Sequence, residues 1–146
     1  MIRECTPDEV AKFSGLGARF YETLGLPGTF NHSSFIGTWT AMLATGAGMI
    51  LGRFTVDGPV EAIGCALYPD VYTGEPTAAT AFWFRMATSN GLGIGLLNAY
   101  LQQYCRDRGI KHLFVSALCN DRFSKVSDFL SAQGYSLAEM TYRKAL

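Results

Sequence analysis

Asn90-Gly91-Leu92-Gly93-Ile94-Gly95 is the stretch on which the reading of this chain turns. Three glycines at alternate positions remove the side chains that keep an anionic ligand off the backbone. The run stands between an aromatic strand over residues 77–86, with Phe82, Trp83 and Phe84, and an amphipathic helix. A helix that starts here points unpaired N–H groups and the positive end of its dipole into the gap. Strand, glycine loop and helix N-terminus together make a cradle for phosphate or pyrophosphate. The competing role for such glycines is tight packing of a helix against a strand.

Two nucleotide motifs fail at this position. A Walker loop needs Lys and then Ser or Thr after its last glycine, and this chain has Leu96 and Leu97. The dinucleotide fingerprint places its third glycine one residue beyond Gly95. It also wants an acidic residue at the end of the next strand, where Ala117 and Leu118 stand. Neither triphosphate hydrolysis nor a Rossmann site is expected.

Working outward, residues 1–5 read as a short strand. Thr6-Pro7-Asp8-Glu9 then marks a helix start, with Thr6 as N-cap and Glu9 completing a capping box. Val10, Phe13, Phe20 and Leu24 face inward until Gly25-Leu26-Pro27-Gly28 ends the helix. A second helix is predicted over 33–44 with Phe35, Trp39 and Met42 or Leu43 inward. Strands follow over 49–56 and 60–68, joined at Asp57-Gly58, then a loop over 69–76. After the glycines, Ile94, Leu97, Leu101 and Tyr104 or Cys105 share one side of a helix that ends near Gly109. Residues 110–118 read as a strand. Asn120 or Asp121 caps a last helix with Phe123, Val126, Phe129 and Leu130 inward, Gly134 stops it, and residues 135–146 close the chain as extended structure. The order β-α-α-β-β-β-α-β-α-β makes an α/β mixed sheet with helices on its faces. It is read as a single domain over 1–146, with a right-handed parallel crossover from 77–86 to 110–118.

Composition narrows the function classes. Of 146 residues 49% are hydrophobic and 16% charged, a balance that favours one buried core over disorder. Net charge is zero and the basic residues are dispersed, so a nucleic-acid partner is not expected. Thr23 through Gly52 carries no formal charge, but Pro27, Asn31, His32 and repeated Thr and Gly interrupt it, so no membrane span is expected. Cys5, Cys65, Cys105 and Cys119 show no ligand spacing, and with only His32 and His112 to help no metal site is expected. Unpatterned thiols fit a reducing cytoplasm. The low surface charge makes a homodimer plausible.

The order of elements and three motifs resemble the GNAT family of N-acetyltransferases over nearly the whole chain. The family's pyrophosphate loop reads Arg or Gln, two residues, Gly, any residue, then Gly or Ala; Asn90 to Gly95 occupies those positions, with Asn90 replacing Arg or Gln. Phe129-Leu130-Ser131-Ala132-Gln133-Gly134-Tyr135 is similar to the family's last-helix end, and Tyr142-Arg143-Lys144-Ala145-Leu146 to its final strand.

The resemblance implies acetyl-CoA as cosubstrate, seated where the fourth and fifth strands splay into a V. It implies transfer of acetyl to a primary amine by direct attack in a ternary complex. Main-chain N–H groups of Gly91, Leu92, Gly93, Ile94 and Gly95, next to Asn90, would hold the pyrophosphate. The edge at Phe84, Arg85 and Met86 would pair with the pantetheine arm, an N–H near Met86 serving as oxyanion donor. Asn120 either touches pantetheine or thiol or caps its helix, and Ser127 either contacts CoA or is simply exposed. The family's usual glutamate position falls on Ala79 or Thr80 and its tyrosine acid on Leu130. Substitutes are Glu75, His32 and Tyr72, each with an ordinary alternative: a solvated loop carboxylate, a helix-start hydrogen-bonder and a packing ring. A non-catalytic acyl-CoA-binding or protein-interaction member is the alternative reading of these departures.

Overall fold

Val10, Phe13 and Leu16 are buried at a spacing of three, and the segment that carries them begins as a 3-10 helix, Pro7–Phe13, before becoming α1, Ser14–Thr23. The single α-helix expected from Thr6 is corrected by that spacing, which matches three residues per turn. Glu9 does close the start: its carboxylate accepts the Thr6 N–H at 3.2 Å. The structure, a computed structural model, describes residues 1–86 and 92–146. The chain divides into two units, Met1–Ser116 and Ala117–Leu146, each described by itself.

The first unit is a five-stranded sheet in the order β1-β2-β3-β4-β5, made of Ile2–Glu4, Gly48–Thr55, Gly58–Pro69, Pro76–Arg85 and His112–Phe114. The first four strands pair antiparallel, and β5 lies parallel to β4. Successive residues of β2 serve opposite faces. Ile50 packs with Val10, Phe13, Leu16 and Trp39, whereas Met49 and Leu51 pack with Leu97, Leu101 and Cys105 of α3, Leu92–Asp107. The other layer is completed by α2, His32–Thr45, whose N-cap Asn31 accepts the Ser34 N–H at 2.8 Å. The two-residue turn between β2 and β3 is Val56-Asp57 rather than Asp57-Gly58; Gly58, at φ +121°, already belongs to β3.

Alternation slips once in β4. Cys65 faces Thr80 and Gly64 faces Phe82, so Ala81 is an extra residue without a partner in β3. Ala78 lies on the α3 face before the slip; after it Phe82 and Phe84 lie on the α1–α2 face and Trp83 on the α3 face. Gly64 is small because a Cβ there would overlap the Phe82 ring.

The second unit carries α4, Phe123–Ala132. Its cap is not Asn120 or Asp121: Arg122 holds that position, and Asn120 Oδ1 accepts the Arg122 N–H at 3.0 Å. At the other end Gly134 turns at φ +88°. Tyr135 N–H reaches Leu130 O at 3.0 Å and Gly134 N–H reaches Ser131 O at 3.0 Å, a Schellman closure. Among the described residues, 135–146 form no strand, correcting the expected closing strand. A strand exists through its ladder, and among the described residues the sheet contains no sixth member.

Candidate active site

The β4–β5 ladder is short. It pairs Thr77 with His112, Ala78 with Leu113 and Ala79 with Phe114, and among the described residues it goes no further. The strand expected over 110–118 is therefore limited to His112–Phe114. On its other side β4 stays paired to β3 as far as Arg85. Past Ala79, one edge of β4 is thus free of strand partners among the described residues, and the two parallel strands part.

Which main-chain groups face that edge follows from one bond. Met86 N–H donates to Val60 O of β3 at 2.8 Å. By the alternation of a strand, Phe84 also turns its N–H and C=O to β3, and Trp83 and Arg85 turn theirs to the opposite edge. Of the strand N–H groups near Met86, among which the oxyanion donor is expected, that of Met86 itself is bonded within the sheet and that of Arg85 faces the other edge.

Charge at this end of the sheet is arranged across three strands. Glu61 is fully buried on the α3 face, two residues before Ile63, and accepts Arg53 Nε–H at 2.9 Å. Arg85, exposed, stands opposite Glu61 in the β3–β4 register. One anion between two cations leaves the row cationic. The helix that begins at Leu92 adds its positive dipole end and the orphan N–H groups of its first turn, which include those of Leu92, Gly93 and Ile94. At Gly95 a Cβ would meet nothing within 4 Å, so packing does not dictate that glycine. Open space over a helix start fits a diphosphate. Asn90 and Gly91 lie outside the described residues.

No protein-family profile matches this chain, and no curated protein matches it either. Solved structures do. An aminoglycoside acetyltransferase from an uncultured soil metagenomic sample superposes with a TM-score of 0.76 at 15% identity, covering 100% of this chain and 97% of its own. A ribosomal-protein-alanine N-acetyltransferase from Brucella melitensis biovar Abortus 2308 gives 0.73 at 15%, covering 100% and 99%. A predicted acetyltransferase from Clostridium acetobutylicum, solved with acetyl-CoA, gives 0.78 at 14%, covering 99% and 95%. The fold is that of the GNAT acetyltransferases.

On this GNAT fold the substitute catalytic residues are not brought together. Glu75 precedes β4 at its paired end, where its Oε2 lies 2.7 Å from His112 Nε2. It is five residues from Thr80, about 16 Å of extended chain. Tyr72 is 94% exposed in the turn whose N–H groups at Tyr72 and Thr73 bond Asp70 Oδ1. Those bonds, Thr73's first, hold the Asp70 carboxyl below its ordinary value. His32 opens α2, exposed, with its ring edge-on to Phe30 at 4.9 Å. Phe84 is core, stacked on Phe82 at 4.7 Å. Asn120 and half-buried Ser127 belong to the second unit. Among the described residues no group of three His, Cys, Asp or Glu side chains could hold a metal ion, and no helix is long and apolar enough to cross a membrane.

Four features of this site escaped the sequence reading: the side of β4 to which Trp83 turns its main chain, the bulge at Ala81, the pairing of Arg53 with buried Glu61 and the contact between Thr80 and Ser116. Only the first had a signal. The unbroken run Phe82-Trp83-Phe84 marks a strand apolar on both faces, which tells that its two sides pack differently.

Proposed function

We propose that this chain is an acetyl-CoA-dependent N-acetyltransferase, moving acetyl to a primary amine of a small molecule, peptide or protein. The observation that carries the reading is the parting of β4 and β5 after Ala79 beside the α3 N-terminus. Such a fork offers strand-edge amides to an amide-bearing thioester arm and helix-start amides to its diphosphate. The neighbours' names, aminoglycoside and ribosomal-protein-alanine acetyltransferase, support an amine acceptor, and the acetyl-CoA in one of them supports the donor.

In the reaction the amine nitrogen attacks the thioester carbonyl in a ternary complex. A C–N bond forms, the C–S bond breaks, and the proton lost by nitrogen ends on sulfur. Main-chain amides on the β4 edge that faces away from β3 orient the arm, and the amides at Leu92, Gly93, Ile94 and Gly95 fix its charged end. Direct attack is supported by the buried thiols. Burial pushes Cys5 up to about 12 and Cys105 up to about 11, and raises Cys65 as well, so at neutral pH none of these is a thiolate nucleophile. Rate then comes largely from positioning. Four free cysteines suit the cytoplasm as its place.

Calorimetry with coenzyme A tests the donor site, and thiol release from acetyl-CoA with a panel of amines tests the transfer. A second reading, a non-catalytic acyl-CoA binder or interaction module, is favoured by Ala79, Thr80 and Leu130 standing where the family has its glutamate and tyrosine. Binding without thiol release for any amine selects it.

A further inference from the structure

The point where β4 and β5 part is marked by a hydrogen bond that belongs to neither ladder. Ser116 N–H donates to the Thr80 side-chain Oγ1 at 2.9 Å. At the start of β5, Lys111 N–H donates to Pro76 O at 2.8 Å. In a continuing parallel strand the alternate N–H groups, those of Leu113 and Val115, would face β4 next, and that of Ser116 would face away. Because the Ser116 N–H is turned towards β4, the chain has rotated out of its ladder by that residue. Thr80 is also the last residue before the bulge, opposite Cys65. The side chain that receives Ser116 thus stands where β4 leaves its own register.

We propose that the Thr80 hydroxyl and the Ser116 amide form a clasp that sets where the two strands part, and so how deeply a thioester arm enters between them. The inference rests on the acyl-CoA reading above and adds Thr80 as its positioning residue. A side chain holds the amide here in place of a main-chain carbonyl. The bond therefore fixes the separation of the strands without extending the ladder into the fork. Threonine suits this task in two ways. Its hydroxyl is an acceptor for an N–H that would otherwise be orphaned at a strand end, and its branched Cβ restricts the rotamer that presents the oxygen.

The first test uses the unmodified, ligand-free protein. The Ser116 amide is expected to exchange at least about ten-fold more slowly than in an unstructured chain; exchange at the unstructured rate overturns the clasp. The second compares Thr80→Val, which keeps the shape and removes the acceptor, with Thr80→Ser, which keeps the acceptor. Calorimetry with coenzyme A is expected to show Kd raised roughly ten-fold in the valine variant and unchanged within about two-fold in the serine variant, as loss of one hydrogen bond predicts. A merely structural role would weaken both or neither, and equal constants for the two variants overturn the proposal. Should the valine variant fail to fold, the exchange rate of Ser116 in the unmodified protein decides. No heat with the unmodified protein overturns the acyl-CoA reading itself, whereas heat with the unmodified protein and equal variants overturns the clasp alone.

Discussion

Two glycines separate packing from ligand binding. Gly64→Ala forces a methyl group into the Phe82 ring, so a loss of about 1–3 kcal/mol is expected, read as a lowered urea midpoint. Gly95→Ala has open space, and helix propensity favours alanine by up to about 1 kcal/mol, so stability should hold or rise. Its Cβ, however, tilts towards the helix N-terminus, where the diphosphate is proposed to sit, so calorimetry should show a weaker Kd for coenzyme A. Gly93→Glu, which adds a carboxylate to the first turn of α3, should abolish binding; unchanged affinity in either variant removes the cradle. Glu9 makes a pH prediction. Arg3, at 2.6 and 2.7 Å, pulls its carboxyl down to about 2, with the Thr6 N–H assisting. The folded value lies below the ordinary 4.5, so the contribution is complete above pH 4.5 and is lost as pH falls through about 2. The urea midpoint of the unmodified protein should therefore fall further over that window than that of Glu9→Gln.

At the level of elements, caps and strand ends behave differently. Asn31→Ala removes the α2 cap and should cost about 1 kcal/mol, seen as a lower Tm. Such local devices were legible in the chain: the Thr6–Glu9 start, the Gly134 stop and the buried seam of Leu97, Leu101 and Cys105 depend on residues a turn apart. Partners distant in sequence left no local trace. β5 contracts to His112–Phe114 because Ser116, 36 residues from Thr80, leaves the ladder for its side chain. Glu61 alternates with Val60 and Ala62 as a solvent-facing residue would, yet it is buried against Arg53 of the adjacent strand. Glu75 looked free in a loop and is engaged with His112 from beyond α3. Its distance along the chain from the fork makes a definite forecast: Glu75→Gln should leave thiol-release turnover within about two-fold, and a ten-fold fall would make it the base after all.

For the molecule as a whole, fold and function stand at different distances from the sequence. The mixed sheet with a helical layer on each face was readable from element order, and neighbours at 14–15% identity share it along the full chain. The acceptor is not, because its recognition depends on side chains that vary while the scaffold does not. Saturating acetyl-CoA, at about a hundred times its Kd, should stabilise the protein by about 2.7 kcal/mol, and NAD or ATP should not shift its melting. The supernumerary Ala81 has one more consequence. Pairing that small residue into the ladder as an ordinary member would make everything after it trade sides, with Phe82 and Phe84 turned towards α3 and Arg85 into the aromatic layer, whereas deleting it would leave Phe82 opposite Gly64 and Phe84 opposite Ala62 as they stand. This part of the chain should therefore tolerate loss of Ala81 far more readily than a register in which Ala81 is paired.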